Sequence, residues 1–88
     1  MLYNITYELK SSNKDYSAFI QEIKDLSTSS SQCMKNSWFI ASTKSKNELY
    51  QALKQHLEDS DLLLILETSL SQMSGWIPTD TVEWLKDK

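Results

Sequence analysis

The sequence predicts an α+β fold, with elements in the order strand, helix, strand, strand, helix, strand. Two segments, 14–27 and 45–57, carry apolar residues at the 3.6-residue spacing of an amphipathic helix. Three others, 2–9, 32–43 and 61–67, carry the alternating or two-sided apolar pattern of strands, and the middle one holds a hairpin turn. At 88 residues the chain has the length of one domain with a thin core, and its composition (40% hydrophobic, 24% charged) is that of a globular protein.

In the first strand, LYNITYEL, Tyr3, Ile5, Tyr7 and Leu9 share one face, while Leu2, Asn4, Thr6 and Glu8 share the other. Glu8 therefore points away from the aromatic face, and KSSN follows as a polar turn. In the first helix Tyr16, Phe19, Ile20, Ile23 and Leu26 form the buried stripe; Asn13 is the expected N-cap, and Asp15 favours the first turn. STSSS at 27–31 has no apolar period and is expected to be a loop. QCMKNSWFIAST, 32–43, reads as a hairpin turning at Lys35-Asn36-Ser37. Trp38 and Ile40 alternate there with Phe39 and Ala41, so both faces are apolar and the strand is expected to be central. The second helix starts at Ser45 with Glu48 in capping-box spacing, and buries Leu49, Ala52, Leu53 and Leu57. EDSD ends that pattern, and DLLLILE, 61–67, is a strand with leucine on both faces.

Two right-handed crossovers around a hairpin give a split βαβ, the ferredoxin-like βαββαβ sandwich, with four antiparallel strands and two helices on one face. The helices cover one face only, whereas the strands at 38–41 and 62–66 are apolar on both. An uncovered apolar sheet face marks an interface, and the economical expectation is a two-fold homodimer packed sheet to sheet. Trp38, Ile40, Leu62 and Leu64 are the strand residues assigned to that contact. The tail, 72–88, breaks at Gly75-Trp76-Ile77-Pro78 and then forms a short C-terminal helix capped by Thr79 or Asp80. Trp76, Ile77, Val82, Trp84 and Leu85 are expected to pack on the body or on a partner subunit, with Trp76 assigned to the partner contact.

Charge and composition narrow the chemistry. The net charge is −3, there is no arginine, and the nine lysines are scattered, which argues against tight binding to a nucleic-acid backbone. Lys10, Lys14 and Lys35, expected at one end of the sheet, form the best available patch for phosphates. Tyr3, Tyr7 and Trp38 are candidates for base stacking, with core packing or dimer contact favoured. A single glycine leaves no phosphate-cradling loop, and a lone Cys33 leaves neither an intrachain disulfide nor a cysteine-based zinc site. The single histidine, His56, falls late in the second helix, where a structural role outweighs that of a general base. The longest apolar run, Leu62–Leu66, is too short to span a membrane, and no signal peptide is visible, so a cytoplasmic location is expected.

Four stretches carry a family resemblance: YNITYELK at the start, NSWFIAST, HLEDSDLLLILE, and GWIPTDTVEWL at the end. In this order they resemble the SinR-like branch of the Cas2-like superfamily across essentially the whole chain. The resemblance implies a ferredoxin-like fold and a homodimer. CRISPR-associated members are metal-dependent nucleases or non-catalytic scaffolds for spacer integration, and the related VapD branch includes ribonucleases. In the nuclease members an Asp at the end of the first strand, one from each subunit, is thought to hold a divalent cation near the dimer axis; the matching position here is Glu8. Glu is one methylene longer than Asp and still offers oxygens to Mg²⁺, but a symmetric site tuned for Asp would be displaced by the longer arm. The favoured expectation is a homodimeric structural or interaction protein without efficient catalysis and without a cofactor, in a nucleic-acid or defence-related setting. The alternative is an endoribonuclease using Mg²⁺ between paired Glu8 residues. A nucleotide-binding module using the cleft between subunits is a third possibility that no motif supports.

Overall fold

The computed structural model describes all 88 residues. It is an α+β domain: one four-stranded antiparallel sheet and three helices. Strands β1 (Leu2–Glu8), β2 (Ser29–Met34), β3 (Ser37–Ala41) and β4 (Leu62–Thr68) lie in the order β2-β3-β1-β4. Helix α1 (Ser17–Leu26) connects β1 to β2, α2 (Lys46–Lys54) connects β3 to β4, and α3 (Thr79–Leu85) closes the chain after a 3₁₀ turn at Leu70–Gln72. No helix is long and apolar enough to cross a membrane.

The parity of β1 decides the layers. Tyr3 pairs with Ile40, and Ile5 with both Trp38 and Ile65, so these side chains share one face. With Tyr7 they meet Phe19 and Ile23 of α1 and Leu49 and Leu53 of α2 in one buried cluster. Polar tips inside it are partnered: Trp38 Nε1 donates to Tyr7 Oη at 3.0 Å, and Tyr3 Oη donates to the Lys44 carbonyl at 2.8 Å. The Tyr7 and Phe19 rings meet edge to face, 5.0 Å between centroids. Helix α2 begins with the expected reciprocal cap, Glu48 N donating to Ser45 Oγ at 3.1 Å and Ser45 N to Glu48 Oε1 at 3.0 Å.

Three local expectations are corrected. Residues 27–31 are not all loop, because Ser29–Ser31 form the first half of β2. Their partners, Ala41, Ile40 and Phe39, supply the pairing that their own side chains do not announce. Helix α1 starts three residues later than expected, with Tyr16 rather than Asn13 at its N-cap. Trp38 and Ile40 are not available to a second subunit: they face the helices, 6% and 0% exposed.

The opposite face is not left bare either. Leu2, Cys33 and Phe39 form a second buried cluster with Leu85 of α3, joined by Met73, Ile77 and Trp84. Two hydrogen bonds fasten α3 to the edge strand. Trp84 Nε1 donates to Ser29 Oγ at 2.6 Å, and the Ser31 and Thr81 hydroxyls lie 2.9 Å apart. The tail thus covers the β2–β3 half of this face. The β1–β4 half stays open.

Candidate functional site

The open half is defined by β4. Alternation sends Leu63 and Ile65 toward the helices and Leu62, Leu64 and Leu66 outward, where each stays about half exposed: 53%, 56% and 49%. Across the register Glu8, Thr6 and Asn4 of β1 lie beside these leucines. Glu8 is the only charged residue on the outward positions of the two strands. The following segment, 68–79, contains no charged residue at all. Within it Trp76 is fully exposed, at 101%.

Between this segment and the sheet runs an open groove of about 670 Å³. Leu66, Leu70, Met73, Trp76, Val82 and Leu85 are among its apolar walls. Its floor is polar. Asn4 Nδ2 donates to Ser37 Oγ and to the Trp38 carbonyl, both at 3.0 Å, and Thr6 Oγ1 donates to Asn4 Oδ1 at 2.8 Å. A shift in pairing between Gln32 and Met34 brings Met34 opposite Ser37 and into the rim. The arrangement suits an apolar occupant that also presents one or two hydrogen-bonding groups.

Glu8, the candidate metal ligand, is exposed at the end of β1 opposite Leu62. No group of three or more His, Cys, Asp or Glu side chains gathers anywhere in the chain. Mg²⁺ is commonly held through one or two carboxylates with several retained waters, so one chain offers such an ion the single Glu8 carboxylate here, and a second copy of Glu8 would complete a pair.

The three candidate phosphate-binding lysines come to the Glu8 end of the sheet, but their observed contacts go to different places. Lys14 donates to the His56 carbonyl and stands 5.2 Å from the centre of the Tyr16 ring. Lys10 contributes its backbone N–H, 2.8 Å from Asp61 Oδ1. Lys35 belongs to the β2–β3 turn, where its carbonyl accepts from Gln32 Nε2 at 3.1 Å. His56 Nε2 lies 3.2 Å from Glu22 Oε1, tying the segment after α2 to α1.

Asp61, which no sequence pattern singled out, organises this end. Its carboxylate accepts from Lys10 N, from Glu58 N at 2.9 Å and from the Tyr16 hydroxyl at 2.8 Å. Burial alone would push its pKa up. The backbone donors of Glu58 and Lys10, the Tyr16 hydroxyl and the Lys14 charge outweigh burial and hold it below the ordinary aspartate value. This constellation fastens the β1–α1 loop to the turn before β4, and it offers no unpaired nucleophile or base.

Of the expected partner-contact residues, Leu62, Leu64 and Trp76 are exposed on one face, whereas Trp38 and Ile40 belong to the core. Leu66, Leu70 and Met34, at 49%, 45% and 58% exposure, extend the exposed set beyond what was expected. Leu66 was legible from the alternation of DLLLILE; Leu70 and Met34 were not, because a 3₁₀ turn and a strand irregularity place them. Comparison with protein-family models, with curated proteins and with solved structures gave no match.

Proposed function

We propose that the chain is a homodimeric structural or interaction protein of ferredoxin-like, Cas2-like type that acts through the half-open sheet face and its tail. The setting is nucleic-acid- or defence-related, and the protein has no efficient catalysis of its own. The strand order and the packing of α1 and α2 on one face are compatible with that fold. The observation that carries the reading is the stripe Leu62, Leu64 and Leu66 continuing into an uncharged segment that carries a fully exposed tryptophan. A patch of large apolar side chains, poor in charge at its centre, has the composition of a protein interface. Sedimentation equilibrium tests this: the expected mass is twice the 10.2 kDa of the chain. A protein that stays monomeric at tens of micromolar overturns the reading.

A second reading, the divalent-metal-dependent endoribonuclease, draws support from one placement. Glu8 lies on the same open face, level with Leu62 at the end of the leucine stripe. Two sheets packed through β4, with a two-fold axis along the strands, would bring the two Glu8 carboxylates to the same end. Incubation with labelled RNA and DNA in Mg²⁺ or Mn²⁺ separates the readings. The structural reading expects no cleavage; cleavage that Glu8→Gln abolishes would establish the enzyme in its place.

A further inference from the structure

The geometry points to a reciprocal exchange of Trp76 between two copies of the chain, each indole seated in the groove of the other. This rests on the homodimer reading and specifies how its interface closes. A two-fold interface brings the same patch against itself, so the patch must be self-complementary. This one carries a projection and a hollow side by side. Trp76 is fully exposed, and no atom comes within 4 Å of where a side chain on the preceding Gly75 would begin, so the chain projects at Gly75-Trp76 while Met73 and Ile77 on either side pack on the body. The groove next to it, about 670 Å³, is large enough to take an indole.

The chemistry of the hollow matches the ring. An indole brings a large apolar surface and one N–H donor, and a buried indole N–H needs an acceptor. Phe39, Leu66, Leu70 and Met73 meet the first requirement; the oxygens of Thr6, Ser37 and Asn4 on the floor meet the second. Area agrees as well. Trp76, Leu62, Leu64, Leu66, Leu70 and Met34 together expose roughly 700 Å² of side-chain surface, close to the ~800 Å² per partner of an ordinary stable interface. No cation or carboxylate stands in segment 68–79, so the exchange buries no charge from it.

Two variants of the full chain test the exchange. Trp76→Ala removes the projection, and Thr6→Phe fills the hollow. Trp76 and Thr6 are both exposed, so each variant is expected to fold, which circular dichroism verifies. Sedimentation of each alone should show the dimer dissociation constant raised at least about thirtyfold, as for a hot-spot tryptophan. Mixed together, the two variants restore one seated indole: the Thr6→Phe chain supplies the tryptophan, and the Trp76→Ala chain supplies a groove that has lost its own Trp76 from one wall but keeps Phe39, Leu66, Leu70 and Met73 and an unfilled floor. The mixture should therefore form a heterodimer tighter than either homodimer. A Trp76→Ala dimer as tight as wild type, or a mixture no tighter than its parents, overturns the exchange while leaving the homodimer standing. A monomeric wild type removes both.

Discussion

Asp61 shows how much a single carboxylate decides at the Glu8 end of the sheet. Three donors converge on it from Lys10, Tyr16 and Glu58, and Tyr16 is also the N-cap of α1. This explains why the helix begins there instead of following the stronger capping propensity of Asn13: the Tyr16 hydroxyl is held by Asp61 and accepts from Ser11 N at 3.3 Å. The folded-state pKa of Asp61 is depressed, so its contribution to stability is fully present above the unfolded value near ~3.9 and is lost as pH falls through the lower folded value. Asp61→Asn should lower the urea midpoint at pH 7, and the gap to wild type should narrow as pH falls from about 4 downward. Asp15 and Glu48 are depressed too, by the N–H groups of Ser17 and Ser45, so wild type and variant share that background acid sensitivity. A gap that stays constant from pH 7 to 3 would refute the role given to the carboxylate.

At the scale of elements, legibility followed the apolar period. Helix α2 was readable because Leu49 and Leu53 repeat at helical spacing behind a Ser45–Glu48 box, and both signals name the same start. Ser45→Ala should cost about 1 kcal/mol, measured by urea denaturation, because the Glu48 N–H loses its side-chain acceptor. Strand β2 was half hidden for the opposite reason. Ser29, Ser30 and Ser31 carry no apolar signal; they are strand because β3 pairs with them and because α3 uses Ser29 and Ser31 as hydrogen-bond partners. That information sits fifty residues away, at Thr81 and Trp84, and no local window contains it. The parity of β3 was equally undetermined locally. Trp38–Ile40 and Phe39–Ala41 are both apolar sets, and only the pairing of Ile5 with Trp38 selects which set faces the helices.

Taken whole, the molecule is a sheet with a thick helical layer on one side and a thin, partial layer on the other. The thin layer is the tail, and its only fully buried residues are Thr81 and Leu85. Beneath it lies Cys33, 3% exposed and in one cluster with Leu2, Phe39 and Leu85. Its thiol hydrogen-bonds the Ser37 carbonyl at 3.3 Å. A thiol in that position reports whether the tail is docked, because a reagent reaches it only when α3 lifts. Leu85→Ala removes the main apolar anchor of α3, a substitution that in a packed core costs about 2–5 kcal/mol. Local opening, not global unfolding, bears most of that cost, since the helical layer packs through a separate cluster. Under conditions where closing outpaces labelling, each 1.4 kcal/mol multiplies the open population tenfold. Cys33 in Leu85→Ala should therefore react with an aromatic disulfide reagent at least about tenfold faster than in wild type. Far-ultraviolet dichroism should change little, because the sheet and the two long helices stay in place. Equal labelling rates would show that the second cluster does not depend on the tail. A collapse of the whole dichroism signal would show that the two faces of the sheet unfold as one unit.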